Sequence, residues 1–332
     1  MAELRLNLIT REWVVIATER ARQPEEFIQN RPKRNFPEYL DSCPFCPGNE
    51  QRNPFEVARY PFQGPWKIRV TPNKFPTFSP DGERTRSNEG LRHRVTAIGR
   101  HEVITESPVH NACMALMPAA DVADVVRAYR DRFIDISRDP RVEHVIIFKN
   151  HGEHSGTTIT HPHSQIIGSP VTPLQIRSRG EECMRYFDST GECLFCATLR
   201  DEQADGRRML LDSDHFTAFI PYAALSPFHI WIFPKRHCAS FGTITDTEAA
   251  DLGNHLKTVL SKIYHGLENP DFNFVIRSEH TKECGVEHFH WYLSIVPRVG
   301  SVSGFELGSG MYVNTSIPEK MAEFLRGVQV PD

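Results

Sequence analysis

The stretch Asn150-His-Gly-Glu-His-Ser-Gly-Thr-Thr-Ile-Thr-His-Pro-His-Ser-Gln165 decides how this 332-residue chain is read. It follows an apolar run, Val142 to Phe148, with strand character, and leads into a second short strand at Ile166-Ile167. The Gly- and Thr-rich loop from Gly152 to Thr160, with Gly156, Thr157 and Thr158, offers backbone N–H groups and hydroxyls to the oxygens of an anion. His161, His163 and Gln165 then stand two positions apart, a spacing that places them on one face of an extended strand, while Pro162 stiffens the turn. A neutral imidazole is a good nucleophile toward phosphorus when its second nitrogen is held by an acceptor, and His163 is the residue placed for that work. Gln165 can donate its amide N–H to a phosphoryl oxygen without adding charge.

Outward from this stretch the chain repeats itself. In the first half, strands at Trp66 to Val70 and Glu102 to Thr105 precede a helix over about 119–137, whose Val122, Val125, Val126, Tyr129, Phe133 and Ile136 recur at helical spacing. In the second half, a strand at His229 to Phe233 precedes a helix over about 246–265 with Leu252, Leu256, Val259, Leu260 and Ile263 on one face, then strands at Phe272 to Ile276 and Trp291 to Val296. Thr245 and Glu248 form a capping box for that second helix. Residues 25–55 and 76–92 have no apolar period and read as loops or arms. The order of strands and helices predicts an α+β fold made of two antiparallel-sheet halves with flanking helices, residues 1–175 and 190–332.

The cysteines punctuate both halves alike. Four of the eight fall into two C-x-x-C pairs, Cys43/Cys46 and Cys193/Cys196. Each pair precedes a histidine just after a strand, His110 or His237, and a second histidine follows 51 or 53 positions later, His161 or His290. Two thiolates on a tight turn and two remote imidazoles close a tetrahedron around Zn²⁺ with no open position, which is a structural site. Two zinc sites are therefore expected: Cys43, Cys46, His110 and His161; and Cys193, Cys196, His237 and His290, with His288 as a rival fourth ligand. A redox pair is the competing reading, but neither pair is expected at the start of a helix after a parallel strand. Cys113, Cys183, Cys238 and Cys284 are given no role.

Composition removes several function classes. Lys plus Arg is 38 and Asp plus Glu is 42, a net charge of -4, so no basic excess drives nucleic-acid binding. The apolar runs fall far short of the ~20 residues that cross a bilayer, and the N-terminus carries charge of both signs without an apolar leader; a cytoplasmic location is expected.

Taken together, the motifs resemble the galactose-1-phosphate uridylyltransferase family of the histidine-triad superfamily. The resemblance runs through Glu12-Trp-Val-Val15, Cys43-Pro-Phe-Cys46-Pro-Gly-Asn49, Ser107-Pro-Val-His110, Phe148-Lys-Asn-His-Gly152, His161-Pro-His-Ser-Gln165 and Trp231-Ile-Phe-Pro-Lys235. It implies ping-pong nucleotidyl transfer, in which His163 attacks the α-phosphorus of a nucleotide sugar, releases sugar 1-phosphate and holds the nucleotide until a second phosphate attacks. It assigns Gln165 to the nucleotidyl phosphate, Asn150, Gly156 and Thr158 to the phosphates, Asn73 and Phe75 to the base, and Arg20 to the nucleotide, with Gln23 where a second arginine is usual. It also implies a homodimer in which Gly304 to Gly310, with Phe305, Glu306, Gly308 and Ser309, completes the sugar site of the other subunit. Phe305 stands where a tyrosine is usual and Gly300 near the place of a lysine. The stretch Leu174 to Arg179 lacks the acid of iron-containing members, so no iron is expected.

The resemblance extends to the plant ADP-glucose phosphorylase type, but Pro162 stands where that type has serine, which favours UDP-glucose and galactose 1-phosphate as substrates. The alternatives are adenylyl transfer from ADP-glucose to inorganic phosphate, a histidine-triad hydrolase, and a zinc-stabilised nucleotide-binding protein without catalysis.

Overall fold

The computed structural model describes residues 1–28, 35–279 and 285–331; Cys284 lies outside them. In chain order the strands and helices are β1 (Glu3–Leu6), β2 (Trp13–Ile16), β3 (Ala58–Tyr60), β4 (Ile68–Pro72), β5 (Arg86–Glu89), β6 (Arg92–Val95), β7 (Arg100–Thr105), α1 (Ala119–Ser137), β8 (His144–His151), β9 (His163–Ser169), α2 (Leu174–Thr190), α3 (Leu194–Asp205), β10 (Met209–Asp212), β11 (Phe216–Phe219), β12 (Ile230–Pro234), α4 (Asp246–Gly266), β13 (Phe272–Arg277), β14 (Tyr292–Pro297), α5 (Gly304–Ser309), β15 (Tyr312–Asn314) and α6 (Pro318–Gly327).

Ten of these strands form one sheet in the order β10-β11-β12-β14-β13-β8-β9-β7-β4-β3, and every pairing in it is antiparallel. The duplication is visible in that order. Each half contributes five strands in the same sequence of neighbours (first, second, third, fifth, fourth), and the halves join where their fourth strands, β8 and β13, pair. Register fixes the equivalences. Gln165 lies opposite Val103 and Phe148, and Ser294 lies opposite Trp231 and Val275, so Ser294 holds in the second half the place of Gln165. By the same count Tyr292 stands for His163, and His229 for His101.

Helices α1 and α4 cover one face of this sheet. Their apolar stripes, Val122, Val125, Val126, Tyr129, Phe133 and Ile136 on one and Leu252, Leu256, Val259, Leu260 and Ile263 on the other, enter a single core with Ile147, Ile166, Ile232 and Phe274. The Thr245–Glu248 capping box starts α4 as expected. The helices touch at Gly253, where an added Cβ would come 2.5 Å from the Ala123 backbone. Gly253→Ala must therefore push the helices apart, and we expect destabilisation of about 2 kcal/mol, the usual scale of overpacking; a denaturation midpoint equal to that of the unsubstituted protein would contradict this contact.

Several elements depart from the sequence reading. Residues 86–89, read as loop, form the exposed hairpin strand β5 with β6. The first predicted strand lies two residues later than expected, at Ile68–Pro72. The interval between the two predicted halves is itself helix α2, which buries only Ile176, Arg179 and Cys183 and so carries no apolar stripe to read. The second C-x-x-C does open a helix, since Cys193 is the N-cap of α3, but it follows a helix and not a parallel strand. A small sheet, β1-β2-β15, carries the N-terminus and the segment after α5.

Candidate active site and metal centres

Alternation along β9 sends Ser164 and Ile166 toward the helices and His163 and Gln165 to the other face. The His163 Nδ1 is 2.8 Å from the His161 carbonyl, so Nδ1 carries the proton it donates and Nε2 keeps its lone pair. Burial holds the His163 imidazole below its ordinary pKa, and the Lys149 ammonium reinforces that direction against the hydrogen bond. The ring packs 5.6 Å from Phe45, which belongs to the first C-x-x-C turn. A neutral, oriented imidazole is the species a phosphorus nucleophile requires.

Behind the strand lies a buried network that the sequence reading missed. Lys149 Nζ pairs with Glu106 and donates to the His163 carbonyl at 3.2 Å; Tyr129 Oη donates to Glu106 at 3.1 Å, and Ser164 also bonds Glu106. All four side chains are buried. Breaking such a pair by removing one partner leaves an uncompensated buried charge, so the network holds together the strand that carries His163. The available signal was a lysine on β8 at a position where Val145 and Ile147 alternate inward.

The first metal cluster forms as the spacing predicts. Cys43, Cys46, His110 and His161 are all buried, with ligand atoms within 4.8 Å of one another. The separations are 3.7 Å (Cys43 Sγ to His161 Nδ1), 3.5 Å (Cys46 Sγ to His110 Nδ1) and 3.6 Å (Cys46 Sγ to His161 Nδ1). Zinc bonds of about 2.3 Å to sulfur and about 2.0 Å to nitrogen at a tetrahedral angle set an S···N edge of about 3.5 Å, so the donor set fits that ion. His161 Nε2 donates to the Ser107 carbonyl at 2.7 Å, which frees Nδ1 as ligand, and burial pushes the His161 pKa down to about 4. Cys193, Cys196, His237 and His290 form the second cluster, with Cys196 Sγ 3.3 Å from His237 Nδ1 and 3.5 Å from His290 Nδ1. His290 takes the fourth place; His288, the rival, is outside the cluster.

The nucleotide-site residues named from the sequence fall into two groups. Asn73 joins Gln165 directly, its Nδ2 3.3 Å from Gln165 Oε1, while Phe75 beside it is 81% exposed. Asn150 accepts from Asn273 at 2.7 Å and lies next to Gly156, whose φ of 92° suits glycine alone. Thr157 bonds within its loop to the Ile159 carbonyl, and Thr158 is exposed at the loop surface. Arg20 is exposed just beyond β2, Phe305, Gly308 and Ser309 are exposed on α5, and Glu306 caps that helix through Ser303.

Both halves match known sequences. The family model described as Galactose-1-phosphate uridyl transferase, N-terminal domain, matches residues 1–173, and its C-terminal domain counterpart matches residues 180–329. The chain is 36% identical over 334 residues to an ADP-glucose phosphorylase of Arabidopsis thaliana (99% of this chain, 93% of the relative). It is 25% identical over 340 residues to a galactose-1-phosphate uridylyltransferase of Thermotoga maritima (99% of each). A crystal structure of an ADP-glucose phosphorylase from Arabidopsis thaliana with bound ADP-glucose superposes with a TM-score of 0.85 at 34% identity, covering all of both chains. No helix among the described residues is long and apolar enough to cross a membrane. With both domain models matched in order and the fold shared over the whole length, the chain belongs to the galactose-1-phosphate uridylyltransferase family, a family of nucleotidyl-transferring enzymes.

Proposed function

We propose that the protein transfers a nucleotidyl group from a nucleotide sugar to a second phosphate through His163. The supporting observation is the tautomer: with Nδ1–H donating to the His161 carbonyl, Nε2 is the nucleophilic atom. Its lone pair forms the P–N bond to the α-phosphorus, the bond from that phosphorus to the bridging oxygen breaks, and sugar 1-phosphate leaves with the electron pair. In the second half-reaction a phosphate oxygen of the acceptor attacks the same phosphorus and the P–N pair returns to Nε2. The acceptor is already an anion, so the chain's work is to hold two phosphates in line, with Gln165 donating to the phosphoryl oxygens. Two Zn²⁺ per subunit would cross-link each C-x-x-C turn to the third and fifth strands of its half and supply rigidity alone.

For the substrates, 36% identity to an ADP-glucose phosphorylase against 25% to a uridylyltransferase supports ADP-glucose with inorganic phosphate. This outweighs the whole-chain resemblance and the His161-Pro-His-Ser-Gln165 match on which the expectation of uridylyl transfer rested. UDP-glucose with galactose 1-phosphate is the second reading, favoured by Pro162. Incubation with ADP- and UDP-glucose labelled in the α-phosphate should leave label on the denatured protein, more from the adenine donor. A higher kcat/KM for UDP-glucose with galactose 1-phosphate would reverse the choice of substrates, and absence of label from either donor would remove the covalent route. The exposure of Arg20 and of α5 at the surface of the chain supports a homodimer in which those segments reach the partner's site.

A further inference from the structure

The geometry points to His101 as a positioning residue that, with Asn73, fixes which end of the Gln165 amide faces the reacting phosphate. His101 lies on β7 beside Gln165. The Thr77 backbone N–H donates to His101 Nδ1 at 3.0 Å, so Nδ1 is an acceptor and the ring proton sits on Nε2. That Nε2–H reaches Gln165 Oε1 at 2.7 Å. Asn73 is oriented the same way: its Oδ1 accepts the Phe75 N–H at 2.9 Å, which leaves its Nδ2 as a donor 3.0 Å from His101 Nε2 and 3.3 Å from the same Gln165 oxygen; with the ring proton on Nε2 that nitrogen cannot accept, so the Asn73 N–H goes to Oε1. Two donors, each locked by a backbone N–H, converge on Oε1. The Gln165 NH₂ is thereby left as the end available to a ligand.

An unheld glutamine side chain presents its oxygen or its NH₂ with equal ease, and the oxygen would repel a phosphoryl group that the NH₂ attracts. Orientation is thus a catalytic variable, and His101 sets it without touching substrate.

The second half supplies an internal comparison. His229, in the place of His101, receives Trp231 Nε1–H on its Nε2 at 3.1 Å, so that nitrogen is an acceptor and presents no proton to Ser294. The half that has Tyr292 where the nucleophile would stand carries the opposite tautomer. The donor form is specific to the half with His163.

This inference rests on the proposed role of Gln165, and its test has one arm that needs no turnover. In protein labelled with ¹⁵N in histidine rings and glutamine side-chain amides, His101 should show a protonated Nε2 and an unprotonated Nδ1, and the Gln165 side-chain NH₂ should give one resolved pair of signals that averages or splits in His101→Phe. A protonated Nδ1, or Gln165 signals unmoved by the substitution, would overturn the clamp whether or not any nucleotide sugar is a substrate. In single-turnover nucleotidylation, His101→Phe should slow transfer roughly ten- to a hundredfold with KM changed less than about threefold, and His101→Gln, which restores an N–H donor, should recover most of the loss. Because His101 acts through Gln165, adding His101→Phe to Gln165→Ala should cost nothing further. Losses that multiply would assign His101 a purely structural role and overturn the proposal. If the unsubstituted protein takes no label, the function proposed above fails while the NMR arm still decides the clamp.

Discussion

His163→Ala should abolish nucleotidyl transfer by several orders of magnitude while leaving the fold and the metal content intact. None of its neighbours on the strand and the preceding turn can take over the covalent route. Ser164 points the opposite way into the Glu106 network, Gln165 is not a nucleophile, and His161 has Nε2 bonded to the Ser107 carbonyl and Nδ1 facing two cysteines. The fold should survive because the strand is held from behind by Lys149, Glu106, Tyr129 and Ser164, none of which depends on the His163 ring. The measurements are retained label on denatured protein, steady-state exchange, and melting temperature. Appreciable exchange by the variant would replace double displacement with direct attack of one phosphate on the other substrate.

Metal removal should have the second large effect, and it should be biphasic. In the second cluster His237 is exposed and Cys196 half-buried, whereas all four ligands of the first are buried, so a chelator should strip the second cluster first. Activity should follow the slower phase. His161 is a ligand of the first cluster and its carbonyl also holds His163 Nδ1, so losing that ion frees the turn that orients the nucleophile. Structural zinc in small domains contributes roughly 10 kcal/mol or more of apparent binding free energy, comparable to the whole stability of a domain, so the slow phase should end in unfolding. Elemental analysis of the purified protein should return about two Zn²⁺ per chain, and Cys43→Ala should lose activity where Cys196→Ala retains it. Zinc that departs with no change in melting temperature, or activity that falls with the fast phase, would contradict this coupling.

What the sequence disclosed and what it withheld divide along physical lines. Both long helices were legible because each buries one continuous stripe, and α1 ends where its stripe ends. The metal clusters were legible because thiols and imidazoles recurring at matched spacings in two halves suit metal ligation and little else. Helix α2 was not, since only three of its seventeen residues are buried and one of those is Arg179, so no apolar stripe marks it. The Lys149–Glu106 pair joins positions 43 apart, and nothing local links them. His101 looked like any isolated histidine until Thr77 was seen to fix its tautomer. Arg20 and α5 were named from resemblance alone, since no periodicity or spacing in the sequence marks them.

The seam between β8 and β13 carries a thermodynamic consequence. Asn150 and Asn273 face each other across it, and residues from both halves, among them Ile147, Ile166, Phe274 and Leu293, share one core. A chain cut between the halves would expose two apolar strand edges, the kind that template aggregation. The duplication has therefore not left two modules. Unfolding should run as one cooperative event, because the seam pairs residues from opposite halves such as His151 with Phe272, and two separate calorimetric transitions would contradict this.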